Sequence, residues 1–305
     1  MDFLYLLEGL RTPWLDGIVS ALTHLGGEMM FLIAALVVLW CVDKRQGYYL
    51  LSVCFMGTLV NQFLKITCRI PRPWVRDPHF TIVEAARAEA TGYSFPSGHS
   101  TNSVGTYGVL ATESKRLWLR IVCAVLCFVI PFTRLYLGVH TPADVLVGSA
   151  IPLFFIVVLR PFIYRDEGKH MPKLLGVMLL LSAAFAAYME FFPFPADVDA
   201  DNLYSAQKNS YTLLGALLGM IIVWYVDRKR NFSTEGVWYV QILKTVLGLL
   251  LALAVKEGLK LPLDAIFGGH MIGRAIRYLA LVLFAGILWP MTFPWFQKLG
   301  RKDEA

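Results

Sequence analysis

Two histidines and three basic residues stand where an anion could be held and attacked. The stretch Tyr93-Ser94-Phe95-Pro96-Ser97-Gly98-His99-Ser100 sets a histidine beside a Ser-Gly pair, where a polar loop gives way to an apolar run. Pro96 disfavours a helical Phe95, and Ser97 suits the N-cap of a helix running on through Val104, Tyr107 and Leu110. The first turn of a helix presents unpaired N–H groups and the positive end of a dipole. An anion can sit there, Gly98 lets it approach the backbone, and His99 lies within reach of it. Taken alone, the tripeptide is weak evidence and reads first as a capped helix with an incidental histidine.

Two further stretches bear on that choice. Lys65 and Arg72 are seven residues apart, so one helix would carry them on one face, with Pro73 ending it just after Arg72. Arginine offers a planar fork for phosphate oxygens and lysine a mobile point charge. A lone basic residue at the end of a span would instead snorkel to the interface. The third stretch is Thr133-Arg134-Leu135-Tyr136-Leu137-Gly138-Val139-His140-Thr141-Pro142-Ala143-Asp144. Here again a helix begins, with Thr141 as N-cap, Pro142 first in the helix and Asp144 placed to bond back to the cap. Asp144 has a second available role. It can accept the proton of one His140 nitrogen and leave the other free as a nucleophile.

These stretches must be positioned by membrane-spanning helices. Of the 305 residues 57% are hydrophobic and only 16% charged, and the mean hydropathy is +0.57. That composition belongs to an integral, all-α polytopic membrane protein. About nine apolar runs are long enough to read as spans, centred on 28 to 42, 48 to 66, 98 to 112, 117 to 133, 142 to 160, 172 to 191, 210 to 226, 239 to 257 and 275 to 292. Residues 1–26 lack the basic start and cleavage site of a signal peptide. Leu4, Leu7, Leu10, Trp14 and Ile18 recur at helical spacing there, which predicts an interfacial amphipathic helix, with a re-entrant pair as the alternative. The domain division read from the chain is 1–26, then a core over 27–170, then a transmembrane extension over 171–305.

Short basic connections fix the orientation. Lys44 and Arg45, Lys115 to Arg120, Arg165 to Lys173, Arg228 to Arg230, and Lys298 to Lys302 alternate with the other connections and should face the cytoplasm. Connections 67–97, 134–141, 192–209 and 258–274 then lie outside, and all three chemical stretches fall on that face. Lys65, Arg69, Arg72, Arg76 and Arg87 crowd the first of them against the topology rule, which a bound anion would explain. The net charge of +6 mostly restates the cytoplasmic loops and gives no reason to invoke nucleic acid. Cys41, Cys54, Cys68, Cys123 and Cys127 form neither a disulfide framework nor a zinc pattern.

The ordered set Lys65-x6-Arg72-Pro73, Pro96-Ser97-Gly98-His99 and Arg134-x5-His140-x3-Asp144 resembles the signature of the type 2 phosphatidic acid phosphatase superfamily, over roughly residues 48 to 160. One departure is Thr133, where the family's third motif usually begins with serine; a hydroxyl is retained. The resemblance implies a polytopic helical protein with a six-helix-type phosphatase core, to which about four C-terminal spans are added. It implies His140 as nucleophile, oriented by Asp144, and His99 as general acid. It also implies a phosphate cradle of Lys65, Arg72, Ser97, Gly98 and Arg134, and no metal or other cofactor. The physical reading agrees, since two helix N-termini and three cations around two histidines suit phosphoryl transfer.

A site at the bilayer edge suits a lipid phosphate or diphosphate, such as undecaprenyl diphosphate, phosphatidylglycerol phosphate, phosphatidic acid or a sphingoid phosphate. Other readings of the same core are a lipid phosphotransferase and a non-enzymatic lipid transporter. The bilayer is the evident partner, and a homodimer stays open. Residues 74–91, with Arg76, Asp77, His79, Glu84 and Arg87, are placed to shape headgroup access. Beyond residue 171, Gly215 and Gly219 form a small-xxx-small packing pair. Lys260, Asp264, His270, Arg274 and Arg277 could recognise a second anion or simply be interfacial charges. Lys244, inside a span, reads as snorkelling or paired, and Glu190 has no assigned role.

Overall fold

The computed structural model describes residues 1–299, so Arg301 and Lys302 of the last basic turn lie outside the described residues. All regular structure among the described residues is helical. Each of the nine apolar runs forms a helix: α3 (Glu28–Cys41), α4 (Lys44–Cys68), α6 (Gly98–Glu113), α7 (Leu117–Tyr136), α8 (Pro142–Tyr164), α9 (Met171–Phe191), α10 (Ala200–Arg230), α11 (Trp238–Gly258) and α13 (Met271–Leu283). Shorter helices are α1 (Asp2–Glu8), α2 (Pro13–Thr23), α5 (Pro73–Arg76), α12 (Lys260–Ile266) and α14 (Phe293–Leu299).

Seven described segments are long and apolar enough to cross a membrane, or up to eight if α2 and α3, bent by 46°, form one broken span. The chain is therefore a multi-pass membrane protein, with fewer full spans than the nine expected. The shortfall lies in α3 and α6, which have 14 and 16 residues. At about 1.5 Å per residue α6 rises only about 24 Å, less than a hydrocarbon core of about 30 Å. Four of the seven segments follow residue 170, as the expected extension requires.

The chain forms two compact units, one of Met1–Ala34, Tyr49–Glu167 and Pro193–Ala206, the other of Ala35–Tyr48, Gly168–Phe192 and Gln207 onward. In the first, α6 is the central element, and beside Val104, Tyr107 and Val109 it buries a set of small, mostly polar residues: Ser100, Thr101, Ser103, Gly105 and Thr106. Small side chains let neighbours come close. A Cβ on Gly105 would stand 3.0 Å from Cys54 Sγ of α4 and 3.4 Å from Pro152 of α8. The polar groups are tied across these contacts. Thr101 Oγ1 donates to Gly148 O at 2.8 Å, and Asn61 Nδ2 reaches Thr101 Oγ1 at 3.0 Å and Pro96 O at 3.3 Å.

The N-terminal segment departs from the single amphipathic helix expected. It breaks at Gly9–Thr12 into two helices, because Thr12 caps and Pro13 starts a new one. Its apolar residues divide accordingly. Leu4 and Leu7 are buried with Phe80, Ile82, Leu135 and Val145, whereas Leu10, Trp14 and Ile18 face outward. Arg11 Nε donates to Tyr136 O at 2.9 Å and its Nη1 to Thr81 O at 2.8 Å, which fastens the segment to α7 and to the long connection.

The second unit is centred on Trp40, Val240, Ala285, Trp289, Phe293 and Phe296. Lys244 does not snorkel there, and among the described residues no acid pairs with it. It is 2% exposed, donates to Trp40 O at 2.9 Å and lies 4.2 Å from the centre of the Phe293 ring. Lys44 pairs with Asp227 at 2.5 Å. Gly215 and Gly219 do pack a neighbouring helix closely: a Cβ on Gly215 would lie 2.0 Å from Ala275 O, and one on Gly219 2.8 Å from Val282.

Candidate active site

Three chain segments of the first unit meet at Asp144. Its Oδ2 accepts from the backbone N–H of Thr141 at 2.7 Å and from Ser94 Oγ at 2.5 Å, and its backbone carbonyl accepts from Ser97 N at 2.9 Å. The Thr141 hydroxyl completes a capping box at the start of α8. The same Oδ2 stands 3.4 Å from His140 Nδ1, so the capping carboxylate and the one facing the histidine are a single group. The capping role read from the sequence holds, and the carboxylate stands beside the histidine, whose Nδ1 is buried without a hydrogen-bond partner. Close approach of the segments depends on Gly148, where a Cβ would lie 2.6 Å from Ser97 O.

His140 is 2% exposed, and its other nitrogen, Nε2, lies 3.0 Å from Arg72 Nη1. A guanidinium can only donate, so Nε2 carries the lone pair and the proton belongs on Nδ1, toward Asp144. Burial, then the charges of Arg72, Lys65, Arg134 and His99, holds this imidazole well below the usual histidine range. The ring is thus held neutral, with its buried lone pair turned to Arg72.

Arg72 does not share a helix with Lys65, contrary to expectation. α4 ends at Cys68, Arg69 has a positive φ of 50° and Arg72 is extended. Pro71 lacks an N–H and Pro73 disfavours a helical Arg72, so the chain leaves the helix four residues earlier than Pro73 alone would require. The cations converge across a turn. Lys65 Nζ donates to Tyr93 O at 2.6 Å, while Arg72 reaches Thr91 O at 2.7 Å, Val139 O at 3.0 Å and Gly92 O at 3.1 Å. These carbonyls tie the first motif to the other two.

Arg134 belongs to the last turn of α7 rather than to the following connection, and it is fully buried. Its Nη1 donates to Thr23 Oγ1 at 2.8 Å, while Nε and Nη2 are buried without a partner. A buried guanidinium edge left unpaired is costly and suits an anion. Thr133 Oγ1 bonds to Ile130 O and Thr23 Oγ1, at 2.6 and 3.0 Å. Ser97 is buried and caps α6, its Oγ accepting from Ser100 N at 3.3 Å and Ser100 Oγ at 2.9 Å; this leaves its own hydroxyl proton to give. Gly98 opens the first turn of α6, and His99 follows with its side chain 15% exposed.

Four contributors escaped the sequence reading. Glu89 Oε2 lies 3.1 Å from His99 Nε2 and its Oε1 2.8 Å from His24 Nδ1. The hydrogen bond from His99 holds the Glu89 carboxyl down at about 2. Ser94 and Thr23, partners of Asp144 and Arg134, are likewise unremarkable in sequence, and Glu89 looks like one more loop charge. Residues singled out in 74–91 stay peripheral: Asp77 accepts from Tyr5 at 2.8 Å, and Glu84 pairs with Arg87 at 2.7 Å on the surface.

Comparison with known proteins gives a consistent picture. A family model described as the PAP2 superfamily matches residues 45–167, and one described as PAP2 superfamily phosphatase, transmembrane extension, matches residues 211–302. Phosphatidylglycerophosphatase B of Bacillus subtilis is 29% identical over 170 residues, which are 50% of this chain and 77% of that protein. A probable sphingosine-1-phosphate phosphatase of Dictyostelium discoideum is 30% identical over 61% of this chain and 48% of its own length. Undecaprenyl-diphosphatase of Sulfolobus acidocaldarius is 29% identical over 44% of this chain and 64% of its own length. No solved structure matches the chain.

Proposed function

We propose, from the premise that this chain belongs to the PAP2 superfamily and is a hydrolase of phosphoric esters, that it removes phosphate from a membrane lipid phosphate or diphosphate through a phosphohistidine, without metal. The observation that carries the reading is His140, neutral and buried, with Nδ1 toward Asp144 and Nε2 at Arg72. Phosphatidylglycerol phosphate, undecaprenyl diphosphate, phosphatidic acid and sphingoid phosphates are the substrate candidates, in line with the relatives named above. Alternating basic connections support a cell-membrane location with the site on the extracytoplasmic face.

In this reading Lys65, Arg72, Arg134, Ser97 and the Gly98 N–H hold the non-bridging oxygens of the phosphoryl group. His140 Nε2 attacks phosphorus as the bond to the leaving oxygen breaks. His99, its Nε2 held by Glu89, gives a proton from Nδ1 to that oxygen. His99 then takes a proton from water, whose oxygen attacks phosphorus and breaks the P–N bond. Phosphate leaves, and both histidines return to their starting protonation. The fixed cations supply the electrostatics for both displacements.

A panel of lipid mono- and diphosphates in detergent with EDTA tests this. Release of inorganic phosphate should survive chelation, vanish in His140→Ala and fall about 10²- to 10⁴-fold in His99→Ala. Acid-labile, base-stable phosphate trapped on His140 in a quenched reaction would complete the case. Activity abolished by EDTA and restored by a divalent cation would overturn it.

A further inference from the structure

The second unit holds buried positive charge that the phosphatase chemistry leaves unused. Arg274 and Arg277 stand one turn apart on α13, and both guanidinium carbons lie over the Tyr278 ring, 5.2 and 5.6 Å from its centre. Arg274 Nε donates to Thr212 Oγ1 of α10 at 2.6 Å. The close seat of Ala275 on Gly215 fixes the two helices in this register. Thr212 lies about 24 Å along α10 from Arg228, so the cluster is remote from the basic turn that ends that helix.

Arg277 is the informative residue. It is 7% exposed, its Nε is buried without a hydrogen-bond partner, and no acid pairs with it among the described residues. A snorkelling arginine keeps its head in water, whereas the Nε of this one is buried. An unpaired cation within a spanning segment points to a functional anion. Nearby acids are engaged elsewhere or outward: Glu190 of α9 accepts from Tyr211 Oη at 3.1 Å, and Asp264 is exposed. Leu261 and Ile266 of α12 and Ile272 of α13 are exposed apolar side chains that would suit an acyl chain.

We propose that Arg274 and Arg277 bind a phosphate group, carried by a membrane lipid or free in solution, at a site within the second unit that is separate from the catalytic one. Two guanidinium forks match the oxygens of one phosphate, and the Thr212 hydroxyl sets the angle of the first.

The test uses the full chain, delipidated in detergent, and follows thermal unfolding with dioleoylphosphatidylglycerol, dioleoylglycerol or inorganic phosphate. Phosphatidylglycerol should raise Tm by at least about 3 °C in both the unaltered protein and His140→Ala. The shift should vanish in Arg277→Gln, and diacylglycerol should give none. An equal shift with inorganic phosphate, also lost in Arg277→Gln, identifies a free anion as the ligand; a shift with the lipid alone identifies a lipid. A shift that survives Arg277→Gln, that disappears in His140→Ala, or that neither phosphate probe produces overturns the proposal. If Arg277→Gln does not fold, Thr212→Val must reduce the shift by half or more, and a full shift there overturns it too.

Discussion

Arg72 Nη1 and His140 Nε2 are 3.0 Å apart, so the nitrogen that would attack phosphorus is covered by the cation that would hold the phosphate. A phosphoryl oxygen must take the guanidinium before Nε2 is released. Arg72→Lys removes the fork and should lower kcat/KM by about 10²- to 10³-fold. It should also uncover Nε2. Modification of His140 by diethyl pyrocarbonate, followed by mass spectrometry, should run faster in the variant; an unchanged rate would show that Arg72 does not guard this nitrogen.

Glu89 raises the proton affinity of His99 against the opposing effects of burial, Arg134 and Arg72. In Glu89→Gln the alkaline limb of kcat/KM should move to lower pH, because the imidazolium loses its carboxylate. Stability should change as well. The folded carboxyl lies at about 2, below an unfolded value of about 4.3, so its contribution is present above about pH 4.3 and is lost as pH falls toward 2. Thermal unfolding between pH 5 and 2.5 should therefore fall less steeply in the variant.

His140 gives a different pH signature. The unfolded imidazole takes a proton below about pH 6.5, while the folded one is held neutral to lower pH. Stability must then decline as pH drops below about 6.5 and level off beneath the folded value. His140→Asn, which binds no proton, should show a shallower decline in Tm from pH 7 to 5 than the unaltered protein.

Gly148 is the contact that lets α8 lie against the second motif. In Gly148→Ala the new methyl would stand 2.6 Å from Ser97 O and 3.1 Å from Ser97 N, both backbone atoms that cannot rotate away. Overpacking of this kind costs about 1–3 kcal/mol. A lowered Tm together with a drop in kcat is expected, whereas Gly176→Ala, which meets nothing within 4 Å, should change neither.

The sequence announced the elements with little ambiguity, since each of the nine apolar runs became a helix and the caps at Ser97 and Thr141 stand where their side chains required. Local rules miss contacts set elsewhere. Pro73 alone would let the helix run to Arg72, but with Pro71 two residues earlier it ends at Cys68, so Lys65 and Arg72 meet across a turn and not along one helix face. The N-terminal leucines looked like a lipid-facing stripe because their protein partners, Phe80 and Leu135, are distant in the chain. Glu89, Ser94 and Thr23 act through single hydrogen bonds made across folded segments, and nothing in their neighbours marks them. The capping role of Asp144 was legible because it has a fixed spacing, and the same spacing sets the carboxylate beside His140.

Asp144 also orders the assembly of the site in time. It is met by Ser94, Ser97, Thr141 and His140, yet it is translated after Lys65, Arg72 and Arg134. A nascent chain that has emerged as far as α7 carries Lys65, Arg72 and Arg134 without this carboxylate. Ser94, Ser97, Thr141 and His140 gain their common neighbour only when the start of α8 is in place.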